Sequence, residues 1–216
     1  MRNIWRSVKL DVSLVRPYVK TICFTMVLPV AFAVLNRSLI TGISFAMCFI
    51  AMTGGYTFSI MEKNDMDRLY GILPVRKRDL VIGQYIFSIS LGILALIFSL
   101  IVHPVILRSL GETVSAEDIA VAAATGMFLF ALYTVLQLPG YYKYGSIKGK
   151  VFMYIPAAGF LVTLLFVTKI PVGSSGWLIT VLDSPVMLII LEAVFVVIMY
   201  AVSILVSVKI VKGKES

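Results

Sequence analysis

Residues 80–107, Leu80 to Leu107, read LVIGQYIFSISLGILALIFSLIVHPVIL and contain no Asp, Glu, Lys or Arg. As an α-helix rising 1.5 Å per residue this stretch is about 42 Å long, more than the ~30 Å of hydrocarbon in a bilayer. Its polarity does not alternate, as a barrel strand with one lipid-facing side would require. Arg76, Lys77 and Arg78 stand before it and Arg108 after it. Five further apolar runs have comparable character: 19–35, 38–61, 119–138, 151–170 and 186–208. The expectation is an all-α membrane protein of six transmembrane helices that occupy nearly all of its 216 residues. Composition agrees, with 60% of residues hydrophobic and 14% charged, against about 45–50% and about 25% in a soluble domain. A water-soluble fold of this size could not bury the excess, and Gly and Pro show no fibrous period.

The formal charge of +8 is informative through its placement. Of 19 basic residues, 16 fall before or at the very start of the first run, between runs two and three, between runs four and five, or after the sixth. Only Arg37, Arg108 and Lys169 fall on the other side. The positive-inside rule therefore predicts both termini in the cytoplasm, in a multi-pass protein of the cell membrane. No basic stripe on a soluble fold exists to bind nucleic acid. Ala31-Phe32-Ala33 resembles a signal-peptide cleavage site, but eighteen residues precede the apolar run and Pro29 interrupts it, so an uncleaved first span is expected.

Two segments outside the spans are amphipathic. In residues 1–18, Ile4, Trp5, Val8, Val12 and Val15 recur at helical spacing opposite Arg2, Arg6, Lys9, Ser13 and Arg16. This predicts an interfacial helix, an anchor on acidic lipid or a lever, broken from the first span at Pro17. In the connection 62–79, Asn64 can cap a helix, Asp65 and Asp67 suit its first turn and Pro74 ends it. Met66, Leu69, Tyr70 and Leu73 then make one apolar face. A short helix of that kind lies on lipid or enters a groove in another protein.

Glu62 to Tyr85 (EKNDMDRLYGILPVRKRDLVIGQY) resembles the cytoplasmic loop of bacterial ABC-2 transporter permeases: an acidic start, a Leu-Pro ending, an Arg, then an apolar stretch. Leu138 to Gly145 (LPGYYKYG) is similar to a loop of a small six-span subfamily, as is the opening Lys9-Leu10-Asp11. Permeases that export amphipathic peptides such as phenol-soluble modulins come nearest. Gln84 stands where the pattern has Lys or Arg, and Gly71 where Ser is common. The resemblance implies that residues 64–73 form a coupling helix docked on an ATP-binding subunit. Met66, Leu69, Tyr70 and Leu73 would be its buried contact, and Asp65, Asp67 and Arg68 its rim. Tyr141, Tyr142, Lys143 and Tyr144 would make a second, smaller contact. It further implies two ATP-binding subunits carrying ATP and Mg, a second permease copy or a sister permease, and an amphipathic peptide as substrate.

The chain carries no phosphate-binding loop: near Gly149-Lys150, Val151 replaces the Ser/Thr and Tyr144 the first Gly. It is expected to hold no cofactor and no metal and to be no enzyme. Inside the spans, Glu192 lies about 9 Å and His103 about 6 Å from the outer face, and they are candidates for an outer gate, with Arg37 or Lys169 in reach. Cys23 and Cys48 differ by roughly 9 Å in height and are expected unpaired. Gly42/Ala46, Ser88/Gly92 and Ala122/Gly126 are small-residue pairs where helices can approach. Two other classes fit the composition: a secondary transporter, which needs an ion site, and a non-transporting immunity or assembly factor.

Overall fold

The structure, a computed structural model, describes residues 2–64, 76–152, 154–155 and 185–213. Every element in it is helical: α1 (Arg2–Val15), α2 (Val19–Asn36), α3 (Leu39–Lys63), α4 (Lys77–Ser109), α5 (Ala116–Gly149) and α6 (Pro185–Gly213). Five segments are long and apolar enough to cross a membrane: 4–36, 39–63, 77–109, 116–149 and 189–213. Of the predicted fifth span, 151–170, all but four residues lie outside the described residues, as does Pro156.

Pro17 does not part α1 from α2. It sits in one 3-10 turn, Arg16–Tyr18, where the missing N–H falls in a first turn that needs no partner. At the other end of α2, Arg37 adopts the left-handed region (φ 48°, ψ 37°) and closes the helix. The Ser38 N–H then donates to the Ala33 carbonyl at 3.3 Å. Ser38 also caps α3, its hydroxyl accepting from the Thr41 N–H at 3.4 Å. At the start of α5, Ser115 and Asp118 form a reciprocal capping box. Two bonds from Ser115, first its hydroxyl and then its N–H, hold the exposed Asp118 carboxyl below the usual carboxylate range.

Helix α3 is central and packs against α2, α4 and α5, while α6 lies against α5 and α4. Small residues set the spacing. A Cβ on Gly42 would meet Ala33 Cβ at 2.5 Å and His103 Cδ2 at 2.6 Å, and one on Gly126 would meet Ile43 Cγ2 at 2.8 Å. Gly92 faces the ring of Phe130 in the same way. The three small-residue pairs thus serve packing within this chain. Ile43, Met47, Ile50, Leu107 and Phe130 fill one cluster, and Phe58, Val81, Tyr85, Leu138 and Tyr141 fill a second towards the Lys-rich end. Outward faces remain apolar, with Phe24, Leu35, Leu94, Ile101, Val197 and Leu205 exposed, as a lipid-facing surface requires. Both cysteines are free.

One boundary and one buried face differ from the sequence expectation. The fourth span does not end at Leu138, because helix continues through Pro139 to Gly149. Its Tyr-rich patch is therefore helical, broken only at Gly145 (φ 78°, ψ −177°). Helix α1 also presents a different face from the one its apolar periodicity marks. Ser7, Val8, Asp11 and Val15 are buried, whereas Trp5 is 63% and Val12 53% exposed. Ser7 and Asp11 turn inwards because α4 offers them partners, as follows.

Candidate functional site: the Lys-rich end

The C-terminal ends of α3, α5 and α6 and the N-terminal end of α4 gather with α1 at the end that carries Lys63, Lys77, Lys143 and Lys209. Helix α1 runs beside the first turns of α4. The Ser7 hydroxyl donates to the Leu80 carbonyl at 3.5 Å. Gly83 permits the approach, since a Cβ there would fall 2.5 Å from Ser7 Oγ. Asp11, 1% exposed, meets Gln84, 2% exposed. With its amide oriented to donate, Gln84 Nε2 lies 3.0 Å from both Asp11 carboxyl oxygens. A buried carboxyl without such a partner would be strongly unfavourable.

The end of α3 meets the break in α5. Gly145 leaves helical geometry, so the Ser146 N–H begins a new helical turn with no acceptor of its own. Glu62 supplies one: the Ser146 N–H donates to Glu62 Oε2 at 2.6 Å. A carboxylate at a helix start is also favoured by the partial positive charge there. After the break the chain folds back, for Gly140 faces Phe152 and Tyr144 stacks on Phe152 at 5.5 Å. One turn inward, Phe58 stacks on Tyr141 at 4.9 Å and meets Tyr142 edge-on at 5.1 Å. The Gln137 side-chain nitrogen donates to the Tyr141 hydroxyl at 2.8 Å.

A third polar group joins α4 to α6. The Tyr85 hydroxyl shares hydrogen bonds with Ser203 Oγ at 2.6 Å and Ser207 Oγ at 2.9 Å, and Ser203 donates onward to the Val135 carbonyl at 2.8 Å. Such hydroxyl bonds join helices where lipid supplies no competing partner.

The predicted docking residues Asp65, Met66, Asp67, Arg68, Leu69, Tyr70 and Leu73 lie outside the described residues. Their flanks are described. Asn64 closes α3 with its own amide on the Ile60 carbonyl at 3.0 Å, and Arg76 opens α4 in an extended conformation. Of the second predicted contact, Tyr141 is a core residue, only 2% exposed, and Tyr142 is partly covered. Lys143 and Tyr144 are exposed, with the Lys143 ammonium 5.1 Å from the Tyr144 ring centre. Sequence reasoning could not separate these four, because the helix that turns Tyr141 inwards was read as a loop.

At the opposite end the two expected gate residues have different neighbours. His103 is wholly buried beside Gly42, with Nδ1 2.9 Å from the Ser99 carbonyl. A carbonyl only accepts, so that nitrogen carries the proton. Glu192 instead lines an apolar cleft of about 560 Å³ with Phe128, Leu191, Val194, Phe195 and Ile198. Arg37 pairs with Glu112 at 3.3 Å, and Lys169 lies outside the described residues. Asp11, Gln84, Glu62 and Ser146 were not singled out as site residues. The signal that could have found Asp11 was a lone acid among the apolar positions of an amphipathic helix.

Among the described residues no cluster of His, Cys, Asp or Glu could hold a metal. What this geometry offers is mechanical, a set of helix ends tied to one another by buried and half-buried polar contacts. It defines a multi-pass helical membrane protein. The family model described as ABC-2 family transporter protein matches residues 8–212, so the chain belongs to the ABC-2 transporter family. It is a membrane-spanning permease subunit of an ABC transporter, and the family implies an ABC ATP-binding partner. No curated protein and no solved structure is significantly similar to it.

Proposed function

We propose that this chain is the permease of an exporter that moves amphipathic peptides out of the cell, powered by ATP hydrolysis on a separate subunit. The observation that carries the reading is the family match over almost the whole chain. Residues 64–73 form the coupling helix, docked on the ATP-binding subunit through Met66, Leu69, Tyr70 and Leu73. Both termini and the Lys-rich end face the cytoplasm, as the distribution of basic residues favours. Six spans form half of a path, so two permease chains and two ATP-binding subunits assemble. ATP and Mg are held by the ATP-binding subunits. An amphipathic peptide suits spans whose only carboxylate on α2–α6 between the terminal turns is Glu192. Lys143 and Tyr144, exposed beside the break in α5, provide the second contact.

The docking test is co-purification. Leu69→Asp or Tyr70→Asp places a charge in the buried contact and should cost more than 2 kcal/mol, at least a thirtyfold loss of affinity. The permease should reach the membrane in normal amount but lose its ATP-binding subunit. Undiminished association in both variants would refute the docking helix. The substrate test is ATP-dependent uptake of a fluorescent amphipathic helical peptide into inverted vesicles, compared with a scrambled, non-amphipathic control. Equal uptake of the two peptides would exclude the substrate class.

A further inference from the structure

We propose that the neighbouring ends of α3 and α4 are each tied to a further helix through a carboxyl side chain, so that a movement imposed on that pair is delivered to α5 and α1 as well. The proposal rests on the reading of residues 64–73 as the docking helix. Upstream of the segment, Glu62 sits in the last turn of α3, and its Oε2 accepts the Ser146 N–H at 2.6 Å. Downstream, Gln84 sits in the second turn of α4 and holds Asp11 of α1 by both carboxyl oxygens at 3.0 Å. The ties bridge 84 and 73 residues of sequence respectively.

Each tie is placed where apolar packing would not do the same work. Ser146 follows the only residue in α5 with non-helical backbone, and its buried N–H has no partner in its own helix. Glu62 thus decides whether the break is closed, and a shift of α3 along its axis pulls on the start of the returning chain. Gly145 keeps this point bendable, because its conformation is one that other residues resist. On the other side, Asp11 and Gln84 are both buried, and their pairing fixes one register of α1 on α4. Apolar contacts at Val8 and Val15 would tolerate sliding, whereas an uncompensated buried carboxyl would not. Helix α1 therefore moves with α4 as one body. Its free side, with Trp5 and Val12 exposed next to Lys9 and Arg16, sweeps against the membrane interface. Glu62 and Asp11 are positioning residues: they touch neither substrate nor nucleotide and act through the helices they hold.

Hydrogen exchange on the full complex in nanodiscs, with and without ATP and vanadate, tests this. In the parent complex trapping should change exchange at residues 146–149 and at residues 7–15. Glu62→Ala should raise basal exchange of the Ser146 amide about tenfold, since a bond to a charged acceptor is lost. The trapping response at residues 146–149 should vanish, with the ATP-binding subunit and basal hydrolysis retained. Asp11→Leu should abolish the response at residues 7–15 alone. Glu62→Gln and Gln84→Lys keep an acceptor and a donor, and should keep both responses, which separates yoking from misfolding. A parent complex with no response at either segment overturns the proposal, as does a response that survives Glu62→Ala and Asp11→Leu. The docking reading fails separately. If Tyr70→Asp keeps its ATP-binding subunit while the yoke variants behave as expected, the yoke stands and the docking helix lies elsewhere.

Discussion

Replacing Gly145 by alanine probes the break in α5 without touching any other contact. Gly145 has φ 78° and ψ −177°. That combination is open essentially to glycine alone, and holding another residue in it costs of order 1–3 kcal/mol. Crowding is not the cause, because the nearest atom to an added Cβ would be Glu62 Oε2 at 3.4 Å, an ordinary contact. The cost is in the backbone, and this makes alike two substitutions usually treated as unlike. Asparagine tolerates the left-handed helical region near ψ of about +45°, but here ψ is extended, so asparagine gains nothing. Gly145→Ala and Gly145→Asn should each lose about 2 kcal/mol, close to a thirtyfold drop in the folded-to-unfolded ratio. The control is Gly54→Ala. Gly54 is helical with open space around it, so alanine there should stabilise by about 0.5–1 kcal/mol. The assay is reversible unfolding of the purified chain by dodecyl sulfate in mixed micelles, followed by far-ultraviolet circular dichroism. A Gly145→Ala chain as stable as the parent, or an asparagine variant that recovers the loss, would refute the assigned backbone and with it the role given to Glu62.

Three further outcomes are expected. Tyr85→Phe removes the hydroxyl shared with Ser203 and Ser207 and should cost about 1 kcal/mol at ~0.6 kcal/mol per interhelical bond. The effect should disappear in a Ser203→Ala/Ser207→Ala background when the cycle is measured by the same unfolding assay. Gly126→Ala puts a Cβ 2.8 Å from Ile43 Cγ2 and 3.1 Å from Met47 Cγ, and should destabilise by about 1–3 kcal/mol. Ile43→Ala, which removes the Cγ2 that the new methyl meets, should make the Gly126→Ala loss smaller in the double variant. The Asp118 carboxyl, lowered by Ser115, stabilises the fold above the ordinary carboxylate range, and that contribution fades as pH falls through its lowered native value. Ser115→Ala should move the Asp118 titration upwards, read by carbon-detected NMR of the labelled carboxyl; an unmoved midpoint would contradict the capping box.

The spans were legible because lipid removes alternatives. A run such as 80–107 has no water to satisfy its backbone, so only a helix is open to it. Residues 65–73, the proposed docking face, carry an apolar pattern in the sequence, but such a pattern does not say what covers it. The sequence ended the fourth span too early for a local reason. Leu138-Pro139-Gly140 reads as a helix stop, yet Pro139 continues α5, and the stop falls six residues later at Gly145. That shift buries Tyr141 against Phe58 and leaves Lys143 and Tyr144 outside. The amphipathic face of α1 was half right: Val8 and Val15 are buried as periodicity says, but Ser7 and Asp11 join them. Periodicity counts apolar residues and cannot see that α4 brings Gln84 and Leu80 to meet polar ones.

By itself the sequence determined the solvent this chain lives in, five helices long and apolar enough to cross it, and the end where its basic residues collect. Those follow from apolar length and charge placement, which are properties of segments taken one at a time. Only the tertiary structure decided that Glu62 caps a break 84 residues away, that Asp11 is answered by Gln84, and that His103 bonds to Ser99 while Glu192 lines a cleft with Phe128. Those are facts about pairs. A buried carboxyl is tolerated only where another part of the chain brings it a donor, and no single segment records where that donor will be.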